Sequence, residues 1–415
     1  MSYPERTTSN EYTFLLKPVI RYMSFDEKKR VAIFATHPIQ YQTPWFAALS
    51  KVDGLFAQVY YGMVPSSEQQ GIGFDVPFEW DIPMLDGYEW KVLENRSKRP
   101  GLGHFFGIRV NGLARRLRHD NIKIAILTGW QSYFLIQVLV ACRRLGIPIL
   151  VRGDSNALHQ RKMWKKQLHR VLFSKFDGFL TVGEANAALY RDSGVPDSKL
   201  HHCPHFVDNE RIFNQFCQHI QNREQLRQQY GIPKNNICFV FVGKLIDKKK
   251  PMDLLRAISA ATQKQNTIHL LIVGSGELMQ KLMEEVEQKS LPVSFAGFLN
   301  QTAITKAFAA ADCLVLPSDF GETWGLVVNE AMACGLPALV SDRVGCSPDL
   351  VNENQTGGIF RFGDIDDIAM RMLEVSHERE RWREMGEAAR RLVFNHYSVD
   401  QAVRGTLSAL QATMH

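Results

Sequence analysis

No stretch of about 18 uninterrupted apolar residues occurs in this 415-residue chain, so no segment of it suits a bilayer-spanning helix. Cysteine is sparse and unpatterned. The seven (Cys142, Cys203, Cys217, Cys238, Cys313, Cys334, Cys346) form no CxxC pair and no Cys/His spacing fit for zinc. A disulfide framework and a zinc finger are therefore excluded, and buried thiols in a reducing compartment are expected. No repeat with a period of about 20 to 50 residues is visible, which argues against solenoids and propellers. A nucleic-acid signature is also missing, as are aromatics interleaved with the basic clusters, so no nucleic-acid partner is expected. The opening MSYPERTTSNEYTFLLKPVI carries acidic residues early and an apolar piece broken by Lys17 and Pro18, unlike a signal or transit peptide. Residues 1–28 read as an N-terminal extension, and the cytoplasm as the compartment.

What is present is the composition of a globular protein, 45% hydrophobic and 22% charged, at a length that favours two domains of about 200 residues each. The net charge is +6, with basic clusters at Arg96–Arg99, Arg115–Arg118, Arg161–Arg170 and Lys248–Lys250. Such clusters suit phosphorylated small molecules or peripheral contact with an anionic membrane at its inner face; a solvated helix face is the plainer reading of the first three.

From residue 30 short β-branched runs alternate with amphipathic stretches. Strands are expected at Val31–Thr36, Leu55–Gly62, Lys123–Thr128, Pro148–Arg152, Gly178–Val182 and Leu200–Cys203, and helices at Pro44–Ser50, Tyr133–Leu145, Arg161–Lys175 and Glu184–Ser193. Residues Gly71–Gly103, rich in turn and aromatic residues, read as a loop-heavy insertion on one edge. Asn214–Lys234 is a polar helical connector, after which strands are expected at Ile237–Gly243, His269–Gly274, Val293–Gly297, Cys313–Pro317 and Pro337–Ser341. Near-continuous apolar strands separated by helices imply parallel sheets covered on both faces. The expected fold class is α/β, with two Rossmann-like doubly wound parallel-sheet domains facing a cleft. Their bounds are 29–212 and 213–395, with 396–415 as a C-terminal segment.

Ligands of open parallel sheets sit beyond the carboxyl ends of the strands. Four second-half loops at such ends carry the candidate chemistry. In Gly243–Pro251, Gly243 lets backbone approach a ligand, and Lys244 and Lys249 can neutralise a diphosphate; Lys248 and Lys250 suit solvent. Gly274-Ser-Gly-Glu277 opens a helix where an anion or ribose hydroxyl is favoured, although tight helix–strand packing explains it equally. Gly297-Phe298-Leu-Asn300 can hold a base or be a plain loop. In Ser318–Gly335 a helix is expected from about Thr323 to Ala333, which puts Glu322 and Glu330 roughly 12 Å apart along its axis. Glu330 then lies on an apolar face and needs a partner, either ribose hydroxyls or a buried Lys or Arg. Glu322 lies at the helix mouth, facing a sugar or simply serving the helix dipole.

Glu322-Thr-Trp-Gly-Leu-Val-Val-Asn-Glu330-Ala-Met-Ala-Cys-Gly resembles the EX7E signature of retaining GT-B glycosyltransferases of family 4, and Phe241-Val-Gly-Lys-Leu-Ile-Asp-Lys-Lys249 resembles their GRLxxxKG loop. Gly274–Glu277 and Phe295–Gly297 follow in the family's order. The resemblance is strong over about residues 205–360 and architectural before them. It implies that Lys244 and Lys249 hold the diphosphate of a nucleoside diphosphate sugar and that Glu330 holds its ribose. Glu322 would bind sugar hydroxyls, and N–H groups from Trp324 through Gly325 and Leu326 to Val327 would meet sugar and phosphate. This chain departs from the pattern with lysine at 244 where the family has arginine, with Lys250 where it has glycine, and with Thr36-His-Pro-Ile-Gln-Tyr41 where a glycine pair is frequent.

The implied activity is transfer of a sugar to a hydroxyl of a glycan, glycolipid or small-molecule acceptor with retention, in cell-surface polysaccharide or glycolipid synthesis. No cofactor and no metal are expected, since Asp364-Ile-Asp366 reads as a helix start. His37, Gln40 and Asp154, just past strand ends of the first half, are acceptor-side candidates. The C-terminal segment is expected to cross back to the first domain, as the resemblance implies. An epimerase or hydrolase of the same fold, and a non-catalytic sugar-nucleotide-binding partner, are the alternatives.

Overall fold

A computed structural model describes Phe25 and residues 28–265 and 267–414; apart from Phe25 and Lys28, the expected extension lies outside the described residues. The first seven strands are β1 (Lys29–Ala35), β2 (Leu55–Tyr61), β3 (Glu89–Val92), β4 (Ile124–Leu127), β5 (Ile149–Val151), β6 (Gly178–Thr181) and β7 (Leu200–His202). They form one parallel sheet in the order β3-β2-β1-β4-β5-β6-β7, with Val31 registered between Ala57 and Ile124. Apolar runs such as Ile124-Ala-Ile-Leu127, buried throughout, become central strands because both faces are covered.

Two apolar layers cover that sheet. Phe134, Leu135 and Val138 of helix Tyr133–Leu145 share one layer with Phe173 and Tyr190. Trp45 and Phe46 of helix Thr43–Leu49 share the other with Ala402, Val403, Leu407 and Leu410 of the last helix, Val399–Met414. The C-terminal helix thus returns to the first domain, and Trp45 Nε1 donates to Thr406 Oγ1 at 3.1 Å.

The second sheet is parallel as well: β8 (Ile237–Val242), β9 (Ile268–Val273), β10 (Val293–Gly297), β11 (Cys313–Leu316), β12 (Ala338–Ser341) and β13 (Gly357–Phe360), in the order β10-β9-β8-β11-β12-β13. Helix Asn209–Ile220 spans the expected domain boundary and packs into this second core through Ile212, Phe213 and Phe216. No disulfide joins the cysteines among the described residues, and all but the half-buried Cys217 are buried.

Two strands escaped the sequence reading. β3 (Glu-Trp-Lys-Val) is exposed along its length, and its polar–apolar alternation runs for only four residues among turn residues; pairing with β2, Gln58 opposite Glu89, makes it a strand. β13 begins with two glycines, which have low strand preference, and is fixed by its ladder to β12. The expected edge insertion therefore holds an edge strand, and its other half reaches the second domain.

In both sheets the chain runs outward for three strands and then crosses back, so the order reverses between β1 and β4 and between β8 and β11. The loops after β8 and β11 thus lie at a topological switch point, where a crevice forms.

Leu407→Ala should cost about 2–5 kcal/mol, because a buried leucine of the first core sits on the last helix. Urea unfolding checks this; a loss below about 0.5 kcal/mol, the level of a surface substitution, would mean that the helix does not belong to that core.

Candidate functional site in the interdomain cleft

Backbone bonds knit the expected loops into one surface. Gly243 N–H donates to the Val273 carbonyl at 3.0 Å, Leu245 to Ser275 at 2.9 Å and Gly274 to Gly297 at 2.8 Å. Gly274 (φ +135°) packs against the Gly243 carbonyl so closely that a Cβ would collide with it. Asp319 N–H donates to the Lys248 carbonyl at 2.9 Å, tying the loop after β11 to the loop after β8.

Across that tie Lys249 Nζ forms an ion pair with Glu322 Oε2, with the two side chains only 14% and 15% exposed. Ser318 Oγ lies 3.4 Å from the same carboxylate oxygen. The helix opens later than the sequence suggested. It spans Leu326–Ala333, with Gly325 as a left-handed N-cap at φ +98°. A Cβ at Gly325 would meet Val344 Cγ1 at 3.0 Å, so the turn is closed by packing. Glu322 is therefore outside the helix, which removes the 12 Å axial separation, and it bonds Lys249 from the turn. The first N–H groups of the helix, Leu326 and Val327 among them, have no intrahelical acceptor. Trp324 is buried; its Nε1 donates to Asn329 at 2.8 Å, and its ring packs on His205 and Tyr397.

Glu330 is buried, and its Oε1 accepts from Gln301 Nε2 at 3.2 Å. Gln301 Oε1 in turn accepts from Arg211 at 2.8 Å. Burial raises the Glu330 carboxyl above its usual range, while Gln301 and the Arg211 charge pull the other way. Its partner is thus a relayed one, an amide with an arginine behind it. Sequence reading passed over both: Gln301 lies one residue beyond the Gly297–Asn300 loop, and Arg211 sits in a helix whose pattern reports only packing. Gln40 and Tyr41 of the first domain line one small cavity with Asp208, Arg211, Gln301 and Glu330, which places Gln40 beside the Glu330 relay.

The other first-domain candidates take separate positions. Asp154 Oδ2 accepts from Thr323 Oγ1 at 3.0 Å, and Asn156 Nδ2 donates to the Thr323 carbonyl at 2.9 Å, so the loop after β5 grips the turn after β11. His37 pairs with Thr36 Oγ1 at 2.9 Å, and burial lowers its pKa to about 4, so its ring is neutral at pH 7.

The 72–81 segment of the first domain forms an unexpected strap. Lys244 Nζ donates to the Ile72 carbonyl at 2.6 Å and lies 4.8 Å from the Phe74 ring centroid. Burial, with Lys248 and Lys249 near, lowers the Lys244 pKa. Phe298 is enclosed by Phe74 and Phe78, at 5.0 and 4.6 Å between centroids, and Asn300 Nδ2 donates to the Glu79 carbonyl at 2.6 Å. Aromatic and turn residues that predicted a loop are therefore a contact surface.

Two doubly wound domains with their switch points turned to one cleft are the GT-B arrangement. Residues 222–392, within the second domain, match the family described as Glycosyl transferases group 1. The chain is similar to N-acetyl-alpha-D-glucosaminyl L-malate synthase of Bacillus anthracis, 27% identical over 50% of this chain and 52% of that protein. It is also similar to D-inositol 3-phosphate glycosyltransferase of Pseudarthrobacter chlorophenolicus, 30% identical over 63% of this chain and 64% of that one. The matched part spans about half the length of several curated relatives. Among solved structures, a glycosyltransferase from Rickettsia africae superposes with a TM-score of 0.71 at 14% identity, covering 94% of this chain and 99% of that one. Anabaena HepE in complex with UDP and glucose gives 0.66 at 15%, covering 92% and 99%.

Because the folded pKa of Glu330 is raised, the stability its protonated form contributes is fully present below about pH 4.5, the unfolded value, and is lost as pH rises through the folded value. Wild type should therefore lose stability relative to Glu330→Gln between acidic and neutral pH in urea titrations. A difference that does not vary with pH would place the carboxyl in the ordinary range.

Proposed function

We propose that the chain is a retaining glycosyltransferase of family 4 type, a hexosyltransferase that moves a sugar from a nucleoside diphosphate sugar to an acceptor hydroxyl. The observation that carries this reading is the Lys249–Glu322 pair at the switch point between β8 and β11, with Lys244 on the same loop and a helix N-terminus beside it. Cations and free N–H groups converge there with one carboxylate, the set a sugar diphosphate needs. The complexes of Anabaena HepE with UDP and UDP-glucose support the donor class.

In this reading Lys249 and Glu322 neutralise each other until the donor arrives. The diphosphate then takes Lys249, and sugar hydroxyls take Glu322. Lys244 has three N–H donors, so it can keep the Ile72 carbonyl while meeting a phosphate oxygen. Lysine gives up the bidentate grip of arginine but keeps the charge. The N–H groups at Trp324, Gly325, Leu326 and Val327 meet phosphate and sugar; Glu330, poised by Gln301 and Arg211, takes the ribose; Gly243, Gly274 and Phe298 bound the nucleotide.

Chemistry follows from charge placement. As the bond from the anomeric carbon to the diphosphate oxygen breaks, negative charge grows on an oxygen already faced by Lys244, Lys249 and the helix N-terminus. The acceptor oxygen attaches on the face the diphosphate leaves, and its proton passes to the departing phosphate oxygen, so no side-chain base is required. The lysines and helix N–H groups meet the diphosphate charge without a metal in this reading. The acceptor approaches from the first domain near His37, Gln40 and Asp154. It is a glycan, glycolipid or small molecule, and the setting is cell-surface polysaccharide or glycolipid synthesis on the cytoplasmic side.

A thermal-shift screen with UDP, GDP and ADP sugars should identify the donor, since a ligand at about 100 times its Kd adds about 2.7 kcal/mol. With that donor, Glu322→Ala should lower transfer by about 100-fold or more, as removal of a group that stabilises a transition state does. Transfer at the wild-type rate in that variant contradicts the assignment. Sustained turnover without acceptor points instead to an epimerase or hydrolase.

A further inference from the structure

We propose that the outer face of helix Met163–Phe173 docks this chain onto an anionic lipid bilayer. Trp164, Leu168 and Val171, at i, i+4 and i+7, form one stripe and are 60%, 57% and 61% exposed, with Met163 beside them at 67%. The opposite side anchors the helix: Phe173 is buried, and the His169 ring stacks on it and meets Trp130. Nothing in folding requires the outer stripe to be apolar, because polar residues would leave the Phe173 contact intact.

Charge identifies the occupant. From Ser155 to Phe176 there is no acidic residue, while Arg161, Lys162, Lys165, Lys166, Arg170 and Lys175 are all cationic. Arg161 turns inward to the Asn156 carbonyl at 2.6 Å. The remaining five form no ion pair among the described residues. At about 100° per residue, Lys165 and Arg170 lie roughly 100° and 120° to either side of the stripe, the polar–apolar boundary at which an interfacial helix sets its cations against headgroups. A second copy of this chain is disfavoured, since a two-fold contact would set this acid-free segment against itself.

The loop that leads from β5 into this helix faces the second domain: Asp154 and Asn156 hold Thr323, and the His159 ring centroid lies 5.2 Å from that of Phe320. The neighbouring rim carries Phe105 and Phe106, 42% and 62% exposed, against Tyr133, which starts the helix after β4. A bilayer held there lies beside the acceptor half of the cleft. The docking stands without the transferase reading; that a lipid-linked hydroxyl compound is the acceptor class rests on it.

Flotation of the full chain with phosphatidylcholine vesicles, with and without about one-third phosphatidylglycerol, tests the docking. The chain should float with the anionic vesicles only, and about 0.5 M salt should release most of it, as surface attraction is screened. Trp164→Glu with Leu168→Glu should abolish flotation, and Lys165→Glu with Lys166→Glu should lower it about tenfold or more. Trp164→Phe should retain it. All three variants should melt within about 2 °C of wild type, because these positions are exposed. Equal flotation of wild type and the double-glutamate variant overturns the proposal, as does failure of wild type to bind anionic vesicles. A wild-type dimer that the double-glutamate change converts to monomer, with no vesicle binding, overturns it in favour of a second copy. The nucleotide-sugar melting shift, measured in parallel, should be the same in the double-glutamate variant. Its absence from wild type would sink the transferase reading and leave the docking result standing.

Discussion

The constraint on which the rest of this molecule depends is strand direction. Among the described residues every strand pairing in the two sheets is parallel, so each sheet delivers all its carboxyl-end loops to one edge. The reversal of order after the third strand then opens a gap in that edge. Lys249 and Glu322 occupy the gap in the second sheet from opposite sides of the reversal, after β8 and β11 respectively. A paired lysine and carboxylate with little exposure earns only a modest net stability after desolvation. The pair does present two opposite charges at one fixed point.

The cleft is bridged in several places. The strap at residues 72–81 covers Lys244 and Phe298, Asp154 and Asn156 hold Thr323, and Asp349 accepts from the Glu184 N–H at 3.0 Å at the start of a first-domain helix. The last helix returns to the first core. Contacts from four separate segments make the relative placement of the two switch points a property of the whole chain. The contacts at Thr323 are polar and can be exchanged for water at small cost, whereas the strap adds the aromatic contacts of Phe74 and Phe78 with Phe298.

Much of the fold was legible because central parallel strands are apolar on both faces. Helix Tyr133–Leu145 and strand Val293–Gly297 appear at their expected limits. β3 and β13 were not read, since an alternation of four residues inside a turn-rich stretch is too short to stand out and a Gly-Gly start has low strand preference. The loops bearing Lys244, Lys249 and Glu322 were locatable from strand ends alone. The late helix start at Leu326 was less so, because Thr323–Gly325 is shaped by a left-handed glycine and by contacts with Asp154 and Asn156 from 170 or so residues away. The Gln301–Arg211 relay behind Glu330 and the strap over Phe298 are likewise tertiary, and periodicity cannot report them.

The central claim is that the surface around Lys244, Lys249 and Glu322 binds a sugar diphosphate. The most direct test is a crystal structure with the nucleoside diphosphate sugar that stabilises the chain most. The account predicts phosphate oxygens within hydrogen-bond distance of Lys249 Nζ and of the N–H groups at the start of helix Leu326–Ala333, with Glu322 on the sugar and Glu330 on the ribose. A donor bound elsewhere, with the Lys249–Glu322 pair intact beneath it, would contradict that claim.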